Sequence, residues 1–399
     1  MSTPSTARRF VNPLRPRDPA EAHRVASPLE LFTDLCFVVA ISQAASSLHL
    51  HLTEGHGARG ILGFAMVFFA IFWAWLNFSW FASAYDNDDV GYRLLTLLHV
   101  LGSLVLAAGI PGMVDGDFAL GVLGYLIMRS SLVVQWLRVA ADDPPRRQTA
   151  RRYATGIAVV QLCWVGFIFL PHGLEVPAFA VGVVAELLVP VWAERAGITP
   201  WHPHHIAERY SLFYIIVLGE TVLSTTVAIQ QALTAHELHV GLISVIAGGV
   251  LIVFSLWWLY FSRNDGEALA RIHDRYNHDT YLWGYGHYFL FAAGAAIGAG
   301  LAARVDVWRH NSASSHLQTA FAVTVPVALV LATMWTICVR LHDKSHQTAA
   351  AFGVAVLLVL AGTFTPVPEL VAGVVCVGLL AFELVKQPMS SGQSQRPSH

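Results

Sequence analysis

Glu30 and Asp34 stand four residues apart near the start of a long apolar run, and His205, Glu208, Arg209 and Glu220 punctuate another. On a helix the first two share a face. Asp34 then lies about 6 Å deeper than Glu30, and Glu220 lies about 18 Å beyond Glu208, close to the middle of a bilayer. Arg129 and Glu186 fall midway along two further apolar runs, and His99 and His287 lie near the starts of theirs. An ionisable group in hydrocarbon costs roughly 3 kcal/mol even on the lenient insertion scale, so each should face a cavity or a partner. Buried carboxylates and imidazoles can exchange protons near neutral pH, which points to an ion or proton path through Glu220, Asp34 and the histidines. The competing reading is static pairing, in which Arg129 neutralises Glu220 or Glu186 and holds helices together.

Other chemistries find less support. The segment Trp201-His-Pro-His-His205 supplies three imidazoles, and His204 and Glu208 would share a helix face suited to zinc. Yet no HExxH is present, and histidine is common where helices start at an interface. The Asp86-Asn-Asp-Asp89 loop lacks the spacing and glycine of a calcium loop and reads as a solvated turn. The four cysteines (Cys36, Cys163, Cys338, Cys376) lie in apolar runs without CxxC spacing and read as small core residues. No phosphate-binding loop, GxSxG or dinucleotide fingerprint occurs. The expectation is therefore no enzyme, no cofactor and no resident metal.

The elements that must position these residues are membrane spans. The chain has 399 residues, is 55% apolar and only 13% charged, with mean hydropathy +0.55. That cannot clothe a soluble domain of this size, and it excludes disorder. A net charge of −2 excludes a nucleic-acid binder. Twelve apolar runs are long enough to cross a bilayer: 29–49, 61–84, 93–113, 117–138, 153–171, 174–193, 206–229, 239–261, 280–303, 317–340, 347–364 and 367–385. The expected fold is an all-α polytopic membrane protein. Residues 1–27 form a basic cytoplasmic arm rather than a signal peptide, and 387–399 form a polar, disordered tail. Of 24 basic residues, 20 fall on the side of the N-terminus, while Arg59, Arg304 and Arg309 fall in opposite loops. Both termini are therefore expected in the cytoplasm.

The halves 28–195 and 196–386 resemble each other. At an offset of 178, Glu30 meets Glu208, Thr33 meets Ser211, Ser42 meets Glu220, and Ser46 and Ser47 meet Ser224 and Thr225. Spans 2 and 8 share aromatic endings at 72–78 and 255–261. Val176-Pro177 in span 6 matches Val367-Pro368 in span 12. Six spans per unit make the repeat parallel, with a pathway expected between the units. Trp73, Trp75, Trp257 and Trp258 read as interfacial anchors, and Gly294–Gly300 as a site of close helix approach.

Two segments carry a family resemblance. Glu30-Leu-Phe-Thr-Asp-Leu-Cys-Phe-Val38 resembles the first-span motif of the bacterial low temperature requirement A family. His205-Ile-Ala-Glu-Arg-Tyr-Ser-Leu-Phe213, running into Ile215-Ile-Val-Leu-Gly-Glu220, resembles its second, and Gly284-Tyr-Gly-His287 fits a weaker third. Thr33, Cys36 and Tyr210-Ser211 depart from the usual residues, but every charged motif position is present. The resemblance implies a multi-pass protein of the bacterial inner membrane and singles out Glu30, Asp34, His205, Glu208, Arg209, Glu220 and His287. It implies no substrate. Phe32-Thr-Asp34 is also similar to the Phe-Ser-Asp motif of six-span potassium channels, although Leu212 stands opposite Asp34 in the second half and Arg24 lies too far upstream for that motif.

The expectation is a secondary transporter or ion channel. Its site residues are Glu30, Asp34, His205, Glu208, Arg209, Glu220, His287, His99 and Arg129. Its partners are the lipid bilayer and an unknown ion or small solute, with homo-oligomerisation left open. The alternatives are an intramembrane lipid-handling or metal-dependent enzyme and a structural or sensory membrane protein.

Overall fold

The computed structural model describes residues 12–18, 21, 24–171, 173–235, 240–263, 265–272 and 278–386. Its regular elements are all helical: α1 (Pro28–Thr53), α2 (Gly57–Tyr85), α3 (Val90–Val114), α4 (Ala119–Asp142), α5 (Arg147–Phe167), α6 (Glu175–Glu194), α7 (Pro203–Ala235), α8 (Val240–Phe261), α9 (Asp265–Ile272), α10 (His278–Trp308) and α11 (His316–Met334). A π-helical turn, Trp335–Val339, leads into the short α12 (Arg340–His342), followed by α13 (His346–Gly362) and α14 (Pro368–Lys386). Among the described residues, ten helical segments are long and apolar enough to cross a membrane. The other two expected spans are helices but fall short of that standard. Helix α5 opens on Arg147, Arg151 and Arg152, and α13 has only 17 residues. The expected tail, 387–399, lies outside the described residues.

Local sequence explains where helices begin. Ser27 and Glu30 form a reciprocal capping box at the start of α1, with Ser27 N–H donating to Glu30 Oε2 at 2.7 Å. Asp89 caps α3 by accepting from Tyr92 N–H at 2.5 Å, and Ser315 caps α11 with Gln318. The acidic loop is thus more than a solvated turn, since Asp89 is buried and also holds Arg138 at 2.6 Å. It also receives Asn12 N–H at 2.7 Å, which pins the N-terminal arm to the helix ends.

In the first half α1 packs on α2 and α3, α3 on α4, α4 on α5, and α5 on α6. In the second half α7 packs on α8 and α10, α10 on α11, α11 on α13, and α13 on α14. The halves meet where α1 lies against α10 and α7, and where α2 touches both of those helices. Glycine permits the closest approaches: a Cβ on Gly298 would lie 2.9 Å from the Glu220 carbonyl oxygen.

Two expectations are corrected by burial. Arg304 is not a loop residue: it lies within α10, wholly buried, and its Nε donates to Glu369 at 3.0 Å. Trp73 and Trp75 are not interfacial anchors but fully buried hydrogen-bond donors, whereas Trp257 and Trp258 are exposed on α8, as expected of a belt. A tryptophan in an apolar run is ambiguous in sequence because its indole N–H serves a lipid interface and a buried carboxylate equally well.

Candidate functional site

The buried ends of α1 and α7 face each other with matched spacing. Glu30 and Asp34 are four apart, as are His205 and Arg209, so two pairs stack one helical turn apart. The Arg209 guanidinium forks onto Asp34 with two bonds of 2.7 Å, and Trp75 Nε1 donates to the same carboxylate at 2.8 Å. One turn away, His205 Nε2 lies 3.2 Å from Glu30 Oε1. All four side chains are buried, and the ladder joins the two halves.

The other expected residues separate. Arg129 bonds Glu186 at 2.8 Å, which decides the choice between Glu186 and Glu220. The Glu186 carboxylate also accepts from Trp73 (2.9 Å), Tyr125 (2.9 Å), Trp164 (3.1 Å) and Gln161 (3.3 Å). A carboxylate with five donors is a satisfied structural node, and it ties α2, α4, α5 and α6 together. His99 is packed at the α3–α4 interface, with Nδ1 3.3 Å from the Met128 carbonyl and its ring stacked on Phe78. Glu220 is half-buried on α7, within electrostatic reach of Ser42 of α1.

The histidine cluster at 202–205 is divided among three tasks. His202 Nδ1 accepts from His205 N–H at 3.2 Å, capping α7, while its Nε2 bonds the Glu21 carbonyl at 2.8 Å. Burial holds the His202 imidazole below its usual pKa. His205 serves Glu30, and His204 is exposed.

His287 takes part in a different constellation. Ligand atoms of Asp265, His287 and Cys338 all lie within 4.8 Å of one another, the one such group of three among the described residues. His287 Nδ1 donates to the Trp283 carbonyl at 2.7 Å, which leaves Nε2 as the ligand atom. That Nε2 lies 4.0 Å from Cys338 Sγ and accepts from Tyr260 OH at 3.1 Å. Asp265 opens α9 and is oriented by Trp283 Nε1 at 3.2 Å and by His342 Nε2 at 3.0 Å. Cys338 sits in the π-helical turn, a feature that often marks functional positions. A cavity lined by Asp265, Tyr260, Glu208, Arg263, His204 and Ser211 touches this group at Asp265, while His287 and Cys338 lie buried behind its wall.

This cluster overturns the expectation that the chain is not an enzyme: three converging ligands of these types are what a metal-dependent site requires. Cys338 is buried in the core as expected and also belongs to this group, whereas Cys163, read as a core residue too, is exposed. Spacing could not reveal the group, because its members stand at 265, 287 and 338 on separate elements. The one available signal was the acidic residue just after the aromatic end of α8, separated from the motif histidine on α10 by the short α9.

A family model described as bacterial low temperature requirement A protein matches residues 25–383. An uncharacterized protein of Rhizobium meliloti (strain 1021) is 27% identical over 360 residues, covering 86% of this chain and 83% of that protein. No solved structure matches.

Proposed function

The chain belongs to the bacterial low temperature requirement A family, and on that premise we propose that it is a metal-binding membrane protein that performs metal-assisted hydrolytic chemistry. The observation that carries this reading is the convergence of Asp265, His287 and Cys338. One carboxylate, one imidazole and one thiolate suit a borderline-soft divalent ion such as zinc, and three protein ligands leave the open position typical of catalytic sites. A metal held there would supply Lewis acidity. The chain's own residues do the rest. The Trp283 carbonyl fixes the His287 tautomer, the Tyr260 hydroxyl donates to the His287 ligand nitrogen, and Glu208 lines the same cavity as Asp265.

Metal analysis of the purified full-length protein tests this. About one zinc per chain is expected, as for a single three-ligand site. It should be lost in His287→Ala and in Cys338→Ser while the helical content is kept. Metal-free protein with intact helices, or metal retained in both variants, would sink the assignment.

A second reading is a transporter or channel of twelve spans in two parallel six-helix repeats, with both termini cytoplasmic. It is favoured by the ladder at the seam of the halves and by the serial pairings they share, although α8 packs far more closely on α14 than α2 does on α6. Here Glu220 and Asp34 contact the ion or solute, and Glu30, Glu208 and Arg209 shape the mouth. Flux in proteoliposomes should vanish in Glu220→Gln, and unchanged flux would remove Glu220 from the path.

A further inference from the structure

A second cavity, of about 90 Å³, lies between the first half and α10 and shares no lining residue with the one beside Asp265. Three aromatic pairs wall it. Trp80 and Trp201 meet at 4.8 Å between ring centres. Trp136 stacks on Tyr153 at 4.2 Å with planes 5° apart. Tyr281 and Tyr285 meet edge to face at 5.5 Å. Ring faces carry negative quadrupole potential, which attracts a cation more than it attracts a neutral molecule.

Glu194 is the one charged residue on the wall. Its carboxylate accepts from Tyr153 OH at 2.9 Å and from Thr199 through Oγ1 at 2.8 Å and N–H at 2.9 Å. All three donors are neutral, and among the described residues no basic side chain pairs with it. Arg146, whose charge reaches it, is bonded to Asp143 and to the Ile198 carbonyl, both at 3.3 Å. Thr280 Oγ1 also lines the cavity, buried and without a hydrogen-bond partner. A neutral apolar guest would bring the Glu194 carboxylate no counter-charge and an anion would oppose its ionisation, whereas a cation would favour the ionised form.

We infer that this cavity is a binding site for a small organic cation carrying an ammonium group, seated on the aromatic faces with its charge toward Glu194. The inference stands apart from the metal reading and needs none of its residues.

Tryptophan fluorescence of the purified full-length protein in detergent tests it, because three indoles line the cavity. Choline is titrated against the uncharged alcohol in which carbon replaces its nitrogen. Saturable quenching is expected for choline, with the alcohol binding at least about tenfold more weakly. Glu194→Gln should weaken choline by about tenfold, and Tyr281→Leu, which leaves the carboxylate and its donors in place, by about threefold. The second variant keeps the test decisive if the first does not fold. The inference is overturned if choline gives no saturable change, if the alcohol binds equally well, or if every folded variant binds choline like the parent protein. In phosphatidylcholine nanodiscs a reduced choline affinity would assign the cage to a lipid headgroup. An affinity equal to that in phosphatidylglycerol discs would assign it to a soluble cation. Both results support the ammonium chemistry.

Discussion

Asp34 and Arg209 were visible in the sequence as costly residues, but their partnership was not. Removing one member of a buried, hydrogen-bonded pair strands the other charge and typically costs about 3–5 kcal/mol. Arg209→Met should therefore lower the thermal midpoint in detergent sharply, and Asp34→Leu combined with Arg209→Met should recover much of the loss. A double variant no more stable than the single one would mean that the pair does more than neutralise itself. Asp86, outside the spans, behaves differently. Burial first, and then the Glu30 charge, pushes its carboxyl up to about 6. The folded state therefore keeps this proton where the unfolded chain has lost it, and stability falls as pH rises from the unfolded value through about 6. Asp86→Asn can still accept the Asp88 N–H bond of 3.0 Å. It should stabilise the protein by up to about 3 kcal/mol at pH 8 and by nothing at pH 4. Melting curves at the two pH values check both the size and the sign.

At the scale of elements, helix existence was legible and helix contact was not. Apolar run length marked the positions of α1–α8, α10, α11, α13 and α14, whereas α9 is short and polar and gave no such signal. The glycines of α10 were expected to allow close approach, and Gly298 and Gly300 do so against the α7 and α11 backbones. A methyl group on Gly298 has no flexible neighbour to displace, so Gly298→Ala should cost about 1–3 kcal/mol through overpacking. Gly353 has open space where its Cβ would be, and Gly353→Ala in α13 serves as the control, expected to be neutral or slightly stabilising. Equal melting points for the two variants would show that the α7–α10 contact is not tight. The π-helical turn at Trp335–Val339 could not be read from sequence, since it adds one residue to a turn without any change in composition.

At the scale of the whole molecule, the basic-residue asymmetry sets the topology to be tested. Single cysteines at Asn87 and Ser345, in a background without the four native ones, should be shielded from a membrane-impermeant thiol reagent added to intact cells. Cysteines at Glu54 and Ser312 should react. Reaction of all four, or the reverse pattern, would refute cytoplasmic termini. By itself the sequence determined the class of the molecule, because apolar runs and scarce charge leave no alternative to a helical membrane protein. It also determined which charged residues must be answered within the bilayer. Only the tertiary structure decided how they are answered: Arg129 by Glu186, Arg209 by Asp34, and His287 by the Trp283 carbonyl and the Tyr260 hydroxyl; it also moved Arg304 from an expected loop into α10, against Glu369. The physical reason is that burial cost is a property of one residue in its run. A partner is a property of two helices brought together by packing that no spacing records.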